Sequence, residues 1–130
     1  MQRFTFNRFL IMSLGCLAAL LNHSAYAEEV VVYSARIEQL IKPMFDAFTK
    51  ETGIKVRYTT DNEGALLARL QAEGKNSPAD MLITADAGNL WAASQAKLLK
   101  PVQSDVLDNN IPAHLRDPQR EWFGLSIRAR

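Results

Sequence analysis

The chain has 130 residues, the length of a single domain, and its 48% apolar and 22% charged residues indicate a folded polypeptide. The 15 basic residues nearly balance the 14 acidic ones, so the charge predicts no nucleic-acid partner. A single cysteine excludes an internal disulfide framework, and no cluster of Cys and His in the sequence predicts a structural zinc site.

The first 27 residues have the pattern of a secretory signal peptide. Arg3 and Arg8 provide a basic start, an apolar run follows from 9 to 21, and Ala25-Tyr26-Ala27 has the small-x-small spacing of a cleavage site. The apolar run is shorter than the roughly 18–20 residues that a membrane-spanning helix needs. We therefore expect residues 1–27 to direct export to the periplasm and then to be removed.

Cleavage of this leader would change the chemistry open to the chain. Cys16, the only cysteine, lies inside the apolar run, and an alternative is that it serves as a lipoprotein acylation site. Without the leader, His114 is the only imidazole, and its polar surroundings predict a surface residue. Cysteine nucleophiles are then excluded, and no Gly-x-Ser-x-Gly elbow is present to indicate an exported hydrolase.

Strands and helices alternate through the rest of the sequence. Apolar or alternating segments predict three strands: 29–34, 54–58 and 80–84. Apolar residues at helical spacing predict three helices: 37–52, 65–73 and 87–97. A loose stretch over 102–120 predicts a loop with a short helix, and the alternation of Phe123, Leu125 and Ile127 predicts a fourth strand over 121–128.

The first helix is predicted to pack through the face that carries Leu40, Met44, Ala47 and Phe48. Pro43 lacks the N–H that a helix interior needs, which predicts an irregular turn before a regular helix that begins near 42. Aromatic residues elsewhere are expected to pack in the core, and these are Tyr33, Tyr58, Trp91 and Trp122.

Strands that alternate with helices predict an α/β fold with a mostly parallel sheet flanked by helices. Ligands of such sheets bind in the crevice beyond the carboxyl ends of the strands. Arg36 follows the first predicted strand, Asp86 follows the third, and Arg128 lies at the far end of the fourth. Asp86 is also placed to cap the third helix.

Five segments carry a resemblance to a known family. They are VVVYSAR (30–36), FTKETGIKV (48–56), LLARLQAEGKNSPADMLITADAGNLWAA (66–93), LLKPV (98–102) and WFGLSIRAR (122–130). In this order they resemble the N-terminal lobe of the bacterial ferric-iron-binding periplasmic proteins, which are the solute receptors of iron(III) ABC importers. The resemblance covers essentially all of 28–130 and implies the first lobe of a two-lobe, type II periplasmic-binding-protein fold, truncated before the second lobe.

The resemblance also implies a division of the binding site. Family members capture Fe(III) between the lobes, with tyrosines of the second lobe as ligands and a synergistic carbonate-like anion that completes the coordination. Some relatives place a His at the position of Ile37 and a Glu at that of Ala85, so this chain resembles the subgroup whose first lobe supplies no metal ligand. Arg36 and Arg128 match the family's anion-binding positions, and Asp86 joins them as a third candidate.

The implied protein is a monomeric receptor, not an enzyme, that delivers Fe(III) to an inner-membrane ABC permease. On this view the 130-residue chain alone should bind iron weakly, because the tyrosine ligands belong to the second lobe. An alternative in the same class is a receptor for another small ligand, such as a thiosulfate- or sulfate-like anion or a polyamine. The effector half of a transcription regulator shares this lobe design, but the leader argues against it.

Overall fold

The computed structural model describes residues 28–127, which form a three-stranded sheet with helices on both faces. The elements in chain order are β1 (Glu29–Ser34), α1 (Glu38–Thr52), β2 (Lys55–Thr60), α2 (Glu63–Glu73), β3 (Met81–Ile83), α3 (Ala87–Gln95) and α4 (Asp105–Asn110). Two single 3₁₀ turns, Gly74–Asn76 and Ala113–Leu115, follow α2 and α4. The predicted α/β class is confirmed, and the predicted leader, 1–27, lies outside the described residues.

The sheet is parallel throughout, with the strand order β2-β1-β3. Val32 of β1 is paired with Tyr58 of β2 on one side and with Met81 of β3 on the other. Asp80 fixes the start of β3, because its carboxylate accepts a hydrogen bond from the Val31 N–H and its own N–H donates to the Val31 carbonyl, both at 2.9 Å. The β-branched run 29–34 forms the predicted strand, and its position between β2 and β3 accounts for its burial.

Two hydrophobic clusters cover the two faces of β1. On the α1 side, Val32 packs with Ile41 and Phe45, and the Phe45 ring lies 5.2 Å from that of Tyr58. On the α2 side, the buried residues are Val31, Tyr33, Leu66 and Leu70. Alternate β1 side chains thus point to opposite helices, which is the period of two expected for a strand buried on both faces.

The packing face predicted for α1 is wrong. Ile41 and Phe45 are the buried residues of this helix, while Leu40, Met44 and Phe48 on the neighbouring face are exposed. The apolar residues of α1 form two adjacent stripes along the helix. The stripe that packs against β1 contains Ile41 and Phe45, each one residue after Leu40 and Met44 of the exposed stripe. The exposed stripe has no cover within residues 28–127.

The irregular start predicted for α1 is also wrong, because the helix begins at Glu38 and contains Pro43. The proline cannot donate to the carbonyl of Gln39, but both residues lie on the exposed side, where water can satisfy that carbonyl. The helix ends as predicted at Gly53, whose φ of 76° is readily adopted by glycine and whose N–H donates to the Thr49 carbonyl.

The third helix differs from its prediction in length and packing. It ends at Gln95, before Lys97, which has a positive φ of 58°. Ala93 and Ser94 are its buried residues, whereas Trp91 is exposed and not the packing residue that was predicted. The buried side chains of α3 are therefore small, and the indole of Trp91 is exposed.

The predicted fourth strand is absent from 121–127. Phe123 makes only an isolated antiparallel bridge with Arg116, and Leu125 and Ile127 are 74% and 77% exposed. Gly124 donates to the Leu115 carbonyl at 2.8 Å, and a Cβ at Gly124 would meet that oxygen at 2.8 Å. Among the described residues, the segment with the alternating pattern has no neighbouring strand to pair with. A strand needs such a partner for the hydrogen bonds of its backbone N–H and C=O groups.

Candidate anion-binding site

The carboxyl ends of the three strands meet at one edge of the sheet. Past the end of β1, the Ala35 N–H donates to the Ile83 carbonyl of β3 at 2.8 Å, and the Asp61 N–H after β2 donates to the Ser34 carbonyl at 3.2 Å. The chain adds β2 on one side of β1 and then adds β3 on the other side, so the order in which strands are added changes direction between β1 and β3. Ligands of open α/β sheets bind at such a switch point. The loops that carry Arg36 and Asp86 follow these two strands.

Arg36 is held in a tight turn directly after β1. Its N–H donates to the Ser34 hydroxyl at 3.1 Å, and Ser34 is fully buried. The Arg36 side chain is half-buried, and its guanidinium has no hydrogen-bond or ion-pair partner within 28–127. A guanidinium remains charged and presents parallel N–H donors, so it suits a planar oxyanion.

Asp86 is the N-cap of α3, as the sequence predicts. Its carboxylate accepts from the Asn89 N–H at 3.2 Å and from the Asn89 side-chain amide at 3.3 Å. These bonds satisfy a free N–H at the start of the helix and hold the β3–α3 loop in place. The part of Asp86 in anion binding stays a prediction.

Glu63 is a residue of this edge that sequence reasoning missed. Its carboxylate accepts from the Ala85 N–H at 2.5 Å and from the Asn89 side-chain amide at 2.6 Å, so it joins the start of α2 to the β3–α3 loop. The only sequence signal is its place in the first turn of a helix capped by Asn62. Its contact with Ala85 crosses 22 residues, a distance that local patterns do not reveal.

Arg128, the second predicted anion ligand, lies outside the described residues, so its distance from Arg36 stays untested. Ile37 and Ala85, the two positions at which the resemblance implies that this lobe lacks metal ligands, are exposed and have no side-chain atom that can coordinate a metal. Within 28–127, no group of three or more His, Cys, Asp or Glu side chains is placed to hold a metal ion. His114, expected at the surface, is exposed.

Two tyrosines near the sheet keep their protons. Burial, and then the hydrogen bond from its hydroxyl to Glu73, raises the pKa of Tyr33. The hydrogen bond from the Tyr58 hydroxyl to Glu38, at 2.9 Å, raises the pKa of Tyr58. Tyr33 is buried in the cluster on the α2 side and Tyr58 packs against the cluster on the α1 side, in agreement with the packing role predicted for both rings. Of the helices in 28–127, none combines the length and the apolar character needed to cross a bilayer.

Comparison with known proteins identifies relatives of this lobe. The family model of the bacterial extracellular solute-binding protein matches residues 34–126. Iron uptake protein A1 of Synechocystis sp. is 43% identical over 103 residues, which cover 79% of this chain and 29% of the relative. A Salmonella typhimurium periplasmic protein, provisionally named for binding 2-aminoethylphosphonate, is 41% identical over 96 residues, or 68% of this chain and 28% of that protein.

A solved structure shows the same architecture. The Trichodesmium protein IdiA (FutA), in complex with iron and citrate, superposes with a TM-score of 0.71 and 44% sequence identity over 74% of this chain and 30% of that one. The chain thus spans about 30% of the length of the relatives it matches and corresponds to one lobe of their type II fold. The resemblance to ferric-binding receptors is confirmed by these matches, and the chain belongs to the bacterial extracellular solute-binding protein family.

Proposed function

We propose that this chain provides the first lobe of a periplasmic receptor that captures Fe(III) for an inner-membrane ABC permease. Residues 1–27 act as the export leader, and 28–130 form the lobe. The observation that carries the proposal is the likeness to iron uptake protein A1 and to the iron- and citrate-bound Trichodesmium structure, both above 40% identity. The reported relatives are named for iron uptake or for ligand binding, and we assign binding, not catalysis, to this chain as a monomeric receptor.

The role of the lobe is to hold an anion that bridges to the iron. Arg36 offers a charged, half-buried guanidinium at the switch point of the sheet, where the backbone bonds of Ala35 and Asp61 fix the strand ends. Arg128 joins it as a second guanidinium, and a carbonate-like oxyanion binds between them. The iron itself is the cargo, and its phenolate ligands come from the part of the receptor that corresponds to the second lobe.

The surroundings of Arg36 explain why its charge is free for an external ligand. Three carboxylates at this edge of the sheet accept hydrogen bonds from other donors: Asp61 accepts from the Asn62 N–H at 2.7 Å, and Glu63 and Asp86 hold the β3–α3 loop. A guanidinium without an internal carboxylate partner can bind an oxyanion without first breaking an ion pair. Asp86 contributes to the site by fixing this loop, since its own charge would repel the anion.

The first test measures anion binding by the 130-residue chain. Calorimetric titration with bicarbonate or citrate should show binding that Arg36→Gln weakens by about tenfold, the effect of losing one charge-assisted contact of about 1.4 kcal/mol. Arg57→Gln is the matched control, because Arg57 loses the same charge but pairs with Glu29 on an exposed part of the sheet. Equal losses in the two variants would assign the effect to overall charge and contradict the site.

The second test concerns the cargo, in a receptor of the relatives' full length that contains this lobe. Ferric iron added with carbonate should produce the visible absorption band of tyrosinate-to-iron charge transfer, and Arg36→Gln should lower the iron affinity. A receptor that binds the oxyanion but develops no band with iron would refute the iron proposal.

A second candidate is a receptor for a phosphonate- or sulfate-like anion without iron. The Salmonella typhimurium relative named for 2-aminoethylphosphonate favours it, as does the free guanidinium of Arg36, which suits any of these oxyanions. The same guanidinium disfavours a polyamine, because a cationic ligand needs carboxylates that are free to pair. Tight binding of the phosphonate with no iron band would select this candidate.

A further inference from the structure

Glu63 joins the loops that follow the two outer strands, at the edge of the sheet that carries Arg36. It is the first residue of α2, after β2, and one of its carboxylate oxygens accepts from the N–H of Ala85, after β3. The other oxygen accepts from the Asn89 side-chain amide at 2.6 Å. Because the strand order is β2-β1-β3, these two bonds connect the loops on either side of the central strand.

A second hydrogen bond continues this connection to Arg36. Two residues before Ala85, the Ile83 carbonyl accepts from the Ala35 N–H at 2.8 Å. Ala35 directly precedes Arg36, so the backbone from which the guanidinium extends is bonded to the segment that Glu63 holds. A short series of bonds thus leads from the Glu63 carboxylate to the predicted anion ligand.

The charge of Glu63 and its hydrogen bonds should affect an anion at Arg36 in opposite directions. A carboxylate at the same edge of the sheet repels an anion, so removal of the charge alone would strengthen anion binding. The bonds fix the backbone beside Arg36 before a ligand arrives, which lowers the ordering cost of binding, so their removal would weaken it. The sign of the change in affinity therefore shows which effect is larger.

We propose that Glu63 is a positioning residue of the anion site, which fixes the β3–α3 loop and, through it, the backbone of Arg36. This effect outweighs the repulsion between its charge and the anion. Glu63 itself makes no contact with the anion on this view. The inference rests on the proposed function, because it takes Arg36 as the anion ligand.

The first part of the test needs no ligand and measures the hydrogen exchange of single backbone amides by NMR in the 130-residue chain. Glu63→Ala should raise the exchange rate at least fivefold at Ala85, which loses its acceptor, and also at Ala35. The internal control is the Val102 N–H, which donates to the Arg120 carbonyl and should keep its rate. Faster exchange at Ala85 alone, or an equal rise at Val102, would contradict a positioning role.

The second part compares two variants that lose the same charge, by calorimetric titration with bicarbonate. Glu63→Gln keeps a side-chain oxygen that can accept from the Ala85 N–H, whereas Glu63→Ala keeps none. Glu63→Ala should bind bicarbonate about fivefold more weakly than Glu63→Gln and more weakly than the wild type, a change of the size that residues outside a binding site can cause. Equal affinities in the two variants would show that charge is the only effect of Glu63 and would overturn the proposal.

Asn89→Ala provides a variant without a change of charge. It removes the amide that donates to Glu63, and it should weaken bicarbonate binding in the same direction. An unchanged affinity would overturn the proposal even if Glu63→Ala failed to fold. Loss of binding in Arg36→Gln with none in Glu63→Ala would refute this inference alone, whereas equal binding by the wild type and Arg36→Gln would refute the proposed anion site itself.

Discussion

Tyr33 shows how a single side chain joins the core to a polar network. Its ring is buried against α2, its hydroxyl donates to the Glu73 carboxylate at 2.8 Å, and the Arg69 guanidinium lies 4.5 Å from the ring centroid. Arg69 and Ser77 donate to the same carboxylate. The Tyr33 hydroxyl therefore lies at the edge of the apolar core, where it and the Glu73 carboxylate both have hydrogen-bond partners. Such a partner offsets the cost of removing the hydroxyl of a buried tyrosine from water.

Tyr33→Phe should reduce the free energy of unfolding by about 1 kcal/mol, because it removes a partly buried hydrogen bond and keeps the ring. Urea unfolding followed by circular dichroism measures this loss. Tyr58→Phe is the control, since its hydroxyl bonds to Glu38 in an exposed position and should contribute less. A larger loss for Tyr58→Phe would contradict the assigned roles.

The raised pKa of Tyr33 predicts the stability of the chain in alkali. Because the folded state holds this proton more tightly than the unfolded state, the stabilisation is complete below the ordinary pKa of about 10 and is lost as the pH rises through the folded value. Unfolding free energies of the wild-type chain should therefore fall above pH 10, and those of Tyr33→Phe should fall less steeply. Parallel curves for the two chains would show that Tyr33 is not responsible.

Among the helices, α1 differs most from its prediction, both in where it begins and in which face it buries. Pro43 costs an interior hydrogen bond, and an interior proline lowers helix stability by about 3 kcal/mol relative to alanine. The helix continues through Pro43 because Ile41 and Phe45 pack against β1 on the opposite side. Tertiary packing thus overrides the local signal that predicted a later helix start.

Pro43→Ala should stabilise the protein by about 1–2 kcal/mol. The restored N–H can donate to the Gln39 carbonyl, and the gain exceeds the roughly 0.4–1 kcal/mol by which proline restricts the unfolded chain. The midpoint of urea unfolding measures the effect, with Gln39→Ala as an exposed control in the same helix. A destabilised Pro43→Ala variant would mean that the helix depends on the proline ring for packing.

For the molecule as a whole, the sequence predicts the βαβ order and the location of Arg36 at a strand end, because both follow from local periodicity and from the handedness of parallel units. It does not predict which of two adjacent apolar stripes of α1 is buried, since both fit a period of 3.6. Nor does it predict the loss of the fourth strand or the bond from Glu63 to Ala85. These features depend on partners that are distant in sequence, which local patterns do not encode.

Glu73 links three elements of the fold, and its titration should therefore affect the stability of the whole lobe. Its carboxylate accepts from Ser77, Arg69 and Tyr33, so that β1, α2 and the turn after α2 meet at one charged group. The hydrogen bond from Ser77, followed by that from Arg69, lowers the pKa of Glu73. The folded state then binds this proton more weakly than the unfolded state does, and the stabilisation is present above the ordinary glutamate pKa.

As the pH falls through the lowered pKa of Glu73, this stabilisation should disappear, and the wild-type lobe should lose stability in the acid range below about pH 4.5. Glu73→Gln should be less stable than the wild type at pH 7 and should show a weaker dependence on acid, as measured by urea unfolding at a series of pH values. Glu51→Gln on the exposed side of α1 is the control and should follow the wild-type curve. If the unfolding free energy of Glu73→Gln kept the full dependence on acid, that dependence would come from other carboxylates. Packing alone would then stabilise the junction of β1, α2 and the turn.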